Sequence, residues 1–259
     1  MKIKTLLIAL CATSIPFAAF AYDGKELKFG VDSAYPPFES KTPSGELVGF
    51  DIDLGNAICA KLKVKCVWVE NSFDGMIPAL QARKFDAINS SMSQTEKRAK
   101  AIDFSHKIYA NFEALVVRGG SALVTMPESP NEKHIGVLQG STQEAYARKH
   151  WTNGVDIVPY PSQDQVWNDL AGGRLDAALV SGPTAESGFL KTAQGRDFGF
   201  ARGPAIHDAA IFGPGVSIGV RKGDRALLEA INGAIDSLRK DGTYDRIAKK
   251  YFTFDIYGG

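Results

Sequence analysis

Gly49-Phe50-Asp51-Ile52-Asp53-Leu54-Gly55-Asn56-Ala57-Ile58-Cys59 is the stretch on which the fold turns. From Asp51 to Leu62 it places Leu54, Ala57, Ile58 and Leu62 on one face of a helix, the period expected of an element that covers a core. Alternating runs flank it, Leu27-Lys28-Phe29-Gly30-Val31 before and Cys66 to Val69 after. Strand, helix, strand is the unit of an α/β protein. The pattern then continues outward. Helices are predicted over 73–82, despite Pro78, and over 95–101, with a strand over 85–88 between them. Strands over 134–138, 156–160 and 175–180 alternate with helices over 142–150 and 164–171. Gly215–Arg221 and helices over 224–240 and 244–251 close the chain.

An internal echo divides this series in two. Leu80…Phe85-Asp86-Ala87 and Leu170…Leu175-Asp176-Ala177 share one spacing, each running through a basic residue, Lys84 or Arg174, into a strand. Gly30-Val31 and Gly136-Val137 both end a strand and enter a polar loop. Two lobes of similar α/β build are expected, presenting strand ends and helix starts to a cleft that suits a small molecule.

Composition narrows the classes. Among 259 residues, 44% are hydrophobic, and 30 Lys and Arg stand against 29 Asp and Glu, an ordinary globular balance. A net charge of +1 without a long basic run gives no electrostatic footprint for nucleic acid, so none is expected as a partner. Residues 1–21 read as a secretory signal peptide: Lys2 and Lys4, an apolar run from Thr5 to Phe20, and Ala19-Phe20-Ala21 as the cleavage signal. Cys11 follows bulky Leu10, which argues against a lipid anchor. Cleavage leaves Cys59 and Cys66, an even count in an exported chain, and a disulfide between a helix end and the next strand is expected. With no histidine near them, they make a poor metal site.

Motifs for catalysis are absent. There is no G-x-S-x-G elbow, phosphate-binding Gly-Lys-Ser/Thr loop or H-E-x-x-H, and His106, His134, His150 and His207 are scattered. Two segments instead favour an anion. Gln139-Gly140-Ser141-Thr142 offers free backbone N–H groups at a helix start. Ser90-Ser91-Met92-Ser93-Gln94-Thr95-Glu96-Lys97-Arg98 offers caps and a guanidinium, either a fork for a carboxylate or a solvated helix charge. A third segment favours a cation: Asp32 and Tyr35 precede the stiff Pro36-Pro37, and Phe73 opens a helix. Taken singly, Tyr35 and Phe73 equally suit a core.

Read together, Gly49–Cys59, Ala-Tyr-Pro-Pro-Phe-Glu from Ala34, Gly-Val-Leu-Gln-Gly-Ser-Thr-Gln-Glu from Gly136 and the closing Asp-Gly-Thr-Tyr…Lys-Lys-Tyr-Phe resemble the family 3 periplasmic solute-binding proteins of ABC transporters. The resemblance runs from Leu27 to the end and is strongest to the histidine-binding and lysine/arginine/ornithine-binding members. It implies an α/β, two-lobed periplasmic binding protein fold with two crossing hinge strands, placed near Tyr109–Asn111 and Ala209–Phe212. Lobe 1 is expected from 22–110 and 211–259, lobe 2 from 111–210. The residues matching Arg98, Ser93 and Thr142 would hold an α-carboxylate, and Ser90 and Ser91 would line the backbone end of the ligand. Asp32 would meet a basic side chain between Tyr35 and Phe73, with Ser141, Gln143 and Asp51 as further contacts. Cys59 and Cys66 match the family's disulfide.

One position departs from the pattern. The family's ammonium-binding aspartate falls on Ser181. A charge-assisted bond is worth about 1.5–3 kcal/mol against about 1 for a neutral one. Three readings follow: Ser91, Ser181 and carbonyl oxygens suffice; Asp176 or Glu186 compensates; or the ligand carries a substituted amine, as opines do. The expected function is the periplasmic, monomeric, cofactor-free substrate-binding component of an ABC importer, delivering arginine, lysine, ornithine or histidine to an inner-membrane permease and its ATPase. A periplasmic dehydratase of prephenate-like acids, with Asp32 or Glu70 as the acid or base, is the rival. A receptor's sensory domain is set aside for want of a membrane helix.

Overall fold

The computed structural model describes residues 24–125, 133–151 and 154–258. The signal peptide reading lies outside the described residues. The chain runs β1 (Glu26–Val31), β2 (Ala34–Tyr35), β3 (Glu39–Lys41), β4 (Leu47–Val48), α1 (Phe50–Leu62), β5 (Lys65–Glu70), α2 (Met76–Gln81), β6 (Ala87–Ile88), α3 (Glu96–Ala99) and β7 (Ile102–Tyr109). It continues through β8 (Glu113–Arg118), β9 (Lys133–Leu138), α4 (Thr142–His150), β10 (Val155–Tyr160), α5 (Gln163–Ala171), β11 (Ala177–Ser181), α6 (Gly182–Ala185), β12 (Phe198–Phe200) and α7 (Ala209–Phe212). Then come β13 (Val216–Arg221), α8 (Arg225–Lys240) and α9 (Thr243–Tyr251).

Two five-stranded sheets result, ordered β5-β1-β6-β13-β7 and β10-β9-β11-β8-β12. Each has three parallel strands on one side and antiparallel pairing on the other. The internal echo has a structural cause. Asp86 enters β6 and accepts the N–H of Lys28 at 3.1 Å, and Asp176 enters β11 and accepts the N–H of His134 at 2.9 Å. In both lobes, the repeated aspartate ties the start of one parallel strand to its neighbour.

The helices that read as amphipathic bury their apolar faces as expected. Leu54 and Ile58 of α1 are buried, as are Leu227, Ile231, Ile235 and Leu238 of α8. Cys59 and Cys66 are joined, linking α1 to β5. A small sheet, β2-β3-β4, was not anticipated. It is anchored by Phe38, whose ring stacks on Tyr109 at 4.7 Å between centroids. The hairpin seats against the start of α1, where Gly49 has φ +135° and a Cβ would lie 2.2 Å from the Phe38 carbonyl oxygen. Only glycine fits there.

The chain passes between the sheets at residues 110–112, from the end of β7 to the start of β8. Ala209–Phe212, expected as the return crossing, is instead helix α7, held on the second lobe by Phe212 against Tyr146 (5.3 Å) and Asp208 against His150 (2.8 Å). The return follows at residues 213–215. Among the described residues, no helix is long and apolar enough to cross a membrane.

Candidate functional site

Loops at the ends of β1, β6, β7 and β9 meet around a narrow, largely closed cavity. Arg98 closes one end. Thr95 caps α3 by accepting the Arg98 backbone N–H at 3.2 Å, which starts the helix where the side chain can turn inward. Its Nη1 donates to the Ser93 carbonyl at 2.9 Å and Nη2 to the Gly140 carbonyl at 3.0 Å, while the guanidinium lies 5.3 Å from the centre of the Phe73 ring. Burial lowers its pKa to about 10, so it stays cationic at neutral pH. Among the described residues, no acid stands within salt-bridge distance of it. The same end receives the start of α4, where Ser141 caps by accepting the Glu144 N–H at 3.0 Å and Thr142 and Gln143 open the first turn. A guanidinium with spare donors beside a helix N-terminus has the chemistry to take a carboxylate.

Asp32 supplies the opposite charge. It is 9% exposed, at the end of β1, with its backbone N–H donated to Ser90 Oγ at 2.9 Å. Burial pushes its carboxyl up to about 6, against the backbone N–H groups of Ala34 and Phe73 that favour ionisation. Tyr35 and Phe73 line the cavity as well, each 8% exposed. They are walls of the site and members of the core at once.

The lining also includes Ser90, Ser91, Ser93 and Glu39. Glu39 is 1% exposed and accepts from Ser90 Oγ at 3.1 Å and Ser91 Oγ at 3.4 Å. Behind it lies Asp51, whose Oδ2 accepts the Ser91 N–H at 2.9 Å and the Tyr109 hydroxyl at 3.1 Å. Ser91 holds φ +48°, uncommon for a side chain with a Cβ, in making that bond. Burial and the Asp51 charge push the Glu39 carboxyl well above the usual range. The two buried carboxyls therefore hold one proton between them.

Ten of the twelve residues singled out from the sequence meet in this cavity: Asp32, Tyr35, Phe73, Ser90, Ser91, Ser93, Arg98, Ser141, Thr142 and Gln143. The other two do not line it. Asp51 is fully buried behind Ser91. Ser181 is also fully buried, donating its N–H to the Tyr35 hydroxyl at 3.4 Å and its Oγ to Thr184 at 3.0 Å. Neither proposed substitute acid reaches the cavity. Asp176 pairs with Lys133 at 3.0 Å and Glu186 with Lys191 at 3.5 Å. Glu70, the rival's candidate acid, pairs with Lys41 at 2.8 Å in an outer groove.

Sequence reasoning missed Glu39, Asn111 and Leu138, all of which line the cavity, and Glu113, which accepts from Gln143 Nε2 at 2.7 Å. Glu39 stands in the quoted run from Ala34, and its signal is an acid two residues beyond Pro36-Pro37 in an otherwise apolar loop. The lobes are in contact around the cavity: besides Arg98 on Gly140, Gln139 Nε2 donates to Asp74 Oδ2 at 3.2 Å. This is the shut arrangement.

Residues 27–254 match the bacterial extracellular solute-binding proteins, family 3. The chain is 49% identical to the lysine/arginine/ornithine-binding periplasmic protein of Escherichia coli (strain K12) over 255 residues, 98% of this chain and 96% of that one. It is 46% identical to the histidine-binding periplasmic protein of the same organism over 259 residues, 100% of this chain and 99% of that one. Among solved structures, an ancestral arginine-binding protein bound to arginine superposes with a TM-score of 0.82 at 36% identity, covering 88% of this chain and 99% of that one. The shared family and the two-lobed fold agree: this chain belongs to the bacterial extracellular solute-binding proteins, family 3.

Proposed function

We propose that the protein is the periplasmic, monomeric substrate-binding component of an ABC importer, capturing a cationic amino acid (arginine, lysine, ornithine or histidine) for an inner-membrane permease and its ATPase. Lobe 1, residues 22–110 with the segment after the return crossing, and lobe 2, extended through α7 to Phe212, close on the ligand about the two crossings. The observation that carries this reading is one cavity lined by both an acid-free guanidinium beside a helix start and the carboxyl of Asp32, together with the aromatic rings of Tyr35 and Phe73. Contacts from both lobes are complete only when the cleft is shut, so ligand shifts the population toward that state. The names of the relatives support the same ligand class.

The opine reading loses support. An N-substituted ligand of that kind adds a second carboxylate, yet Arg98 is the single basic residue in the described lining, which also holds Asp32 and Glu39. The dehydratase reading loses its base at Glu70, which the outer groove holds in an ion pair. Thermal melting with a panel of basic amino acids, neutral amino acids and opines tests the proposal. A rise in Tm with at least one basic amino acid supports it. A rise confined to neutral amino acids or opines overturns it.

A further inference from the structure

The proposed ligand carries three charges, and the lining answers two of them by residues already assigned: Arg98 for the carboxylate and Asp32 for the side-chain cation. The third, the α-ammonium, is bonded to the same carbon as the carboxylate and must lie beside the Arg98 end. Ser181 offers no charge there and faces Thr184 instead of the cavity. Asp176 and Glu186 are engaged elsewhere. The only other acid in the described lining is Glu39, against the hydroxyls of Ser90 and Ser91. In the same wall, the buried Oδ1 of Asn111 receives no hydrogen bond among the described residues.

We propose that Glu39, backed by Asp51, is the specificity-determining carboxyl that receives the ligand's α-ammonium group, doing on the first lobe what an acid at position 181 would do on the second. This rests on the reading of the site as one for basic amino acids. Charge balance is consistent with it. The two carboxyls share one proton and so present one negative charge, Asp32 presents another, and Arg98 one positive charge, which together neutralise a ligand of net charge +1. The groups facing the pair are Tyr109 and the Ser91 N–H on Asp51, Ser90 and Ser91 on Glu39, and Asp32, whose backbone N–H donates to the same Ser90 hydroxyl. Glu113 is the alternative, since it stands opposite Ser181 in the β8–β11 register and reaches the lining through Gln143.

The test is a pair of ligands on a set of variants. Wild type, Glu39→Gln and Glu113→Gln are titrated by calorimetry with L-arginine and with 5-guanidinopentanoate, which is arginine without its amino group. The inference predicts that Glu39→Gln, which leaves the pair's one negative charge on Asp51, outside the lining and behind Ser91, lowers the preference for arginine over the deaminated compound at least tenfold, while Glu113→Gln leaves it unchanged. Loss of folded protein reduces the active fraction for both ligands alike and does not alter their ratio. Should Glu39→Gln fail to fold, Glu39→Ser, which removes the carboxyl altogether, is to show the same selective loss. An unchanged ratio in the folded Glu39 variant, or a collapse in Glu113→Gln instead, overturns the inference. Failure of the wild type to bind arginine, lysine, ornithine or histidine at all overturns the underlying reading as well, and the two outcomes are distinct.

Discussion

Position 98 shows how a single charge is prepared. The guanidinium uses two of its five donors on the carbonyls of Ser93 and Gly140, which fix its direction without neutralising it. Arg98→Ala is therefore expected to weaken amino-acid binding by more than about 1.4 kcal/mol, or tenfold, in a calorimetric titration. Unchanged affinity would remove the carboxylate clamp. Asp32 gives a pH signature. Its carboxyl is raised to about 6 by burial, and a bound cation favours the ionised form. Affinity is predicted to hold above pH 7 and to fall as pH drops below about 6, because the proton must then be displaced by the ligand. In the ligand-free protein the sign reverses. Folded Asp32 binds its proton more tightly than unfolded, so its contribution to stability declines as pH rises from about 4 to 6. Titrations from pH 5 to 8 on wild type and Asp32→Asn check this, since the variant loses the slope due to this residue. Arg98 and Asp32 were legible in the sequence because each sits in a segment with its own chemical logic. Glu39 was not, because its role depends on a hairpin that carries it against Ser90 and Asp51, residues 51 and 12 positions away.

Among the elements, the turn from β9 to α4 couples binding to closure. Gly140 has φ +76°, and a Cβ there would lie 3.0 Å from Cα of Asp74 on the opposite lobe. The backbone strain is present whether the lobes are apart or together, but the clash arises only when they meet. Gly140→Ala is predicted to cost about 1–2 kcal/mol of folding stability through the left-handed backbone. It should weaken ligand binding as well, in excess of any loss of folded protein. Melting curves and calorimetry on the same preparation separate the two effects, and full affinity in a destabilised variant would contradict the coupling. Long elements such as α1, α8 and β9 were readable from their periodicity. Strands of two or three residues, β2, β4 and β12, carry too few side chains for a period to show. Their pairing is decided by distant partners, as Phe38 and Tyr109 decide it for the hairpin bearing Glu39. α7 escaped for a similar reason, since its four residues dock on α4 through Phe212.

For the whole molecule, two lobes of matching strand order bring one helix start, one guanidinium and two acids to a single enclosed space. Duplication of the strand–helix pattern was visible in the spacing around Asp86 and Asp176, although the shared role of those aspartates in tying strands emerged only from the paired backbone bonds. The presence of a guanidinium and acids in one lining makes a prediction no single residue carries: the best ligand needs an anion and a cation on one small frame. Affinity near 1 μM corresponds to about −8 kcal/mol, within reach of three charge-assisted contacts and aromatic burial after ordering costs. The most direct measurement is a calorimetric titration of the wild-type protein with L-arginine, L-lysine, L-ornithine and L-histidine, and with two analogues of arginine: agmatine, which lacks the carboxylate, and L-citrulline, which lacks the side-chain charge. The account predicts binding of arginine at about 1 μM or tighter and at least tenfold weaker binding of both analogues; equal affinity for either analogue, or none for arginine, lysine, ornithine or histidine, would contradict it.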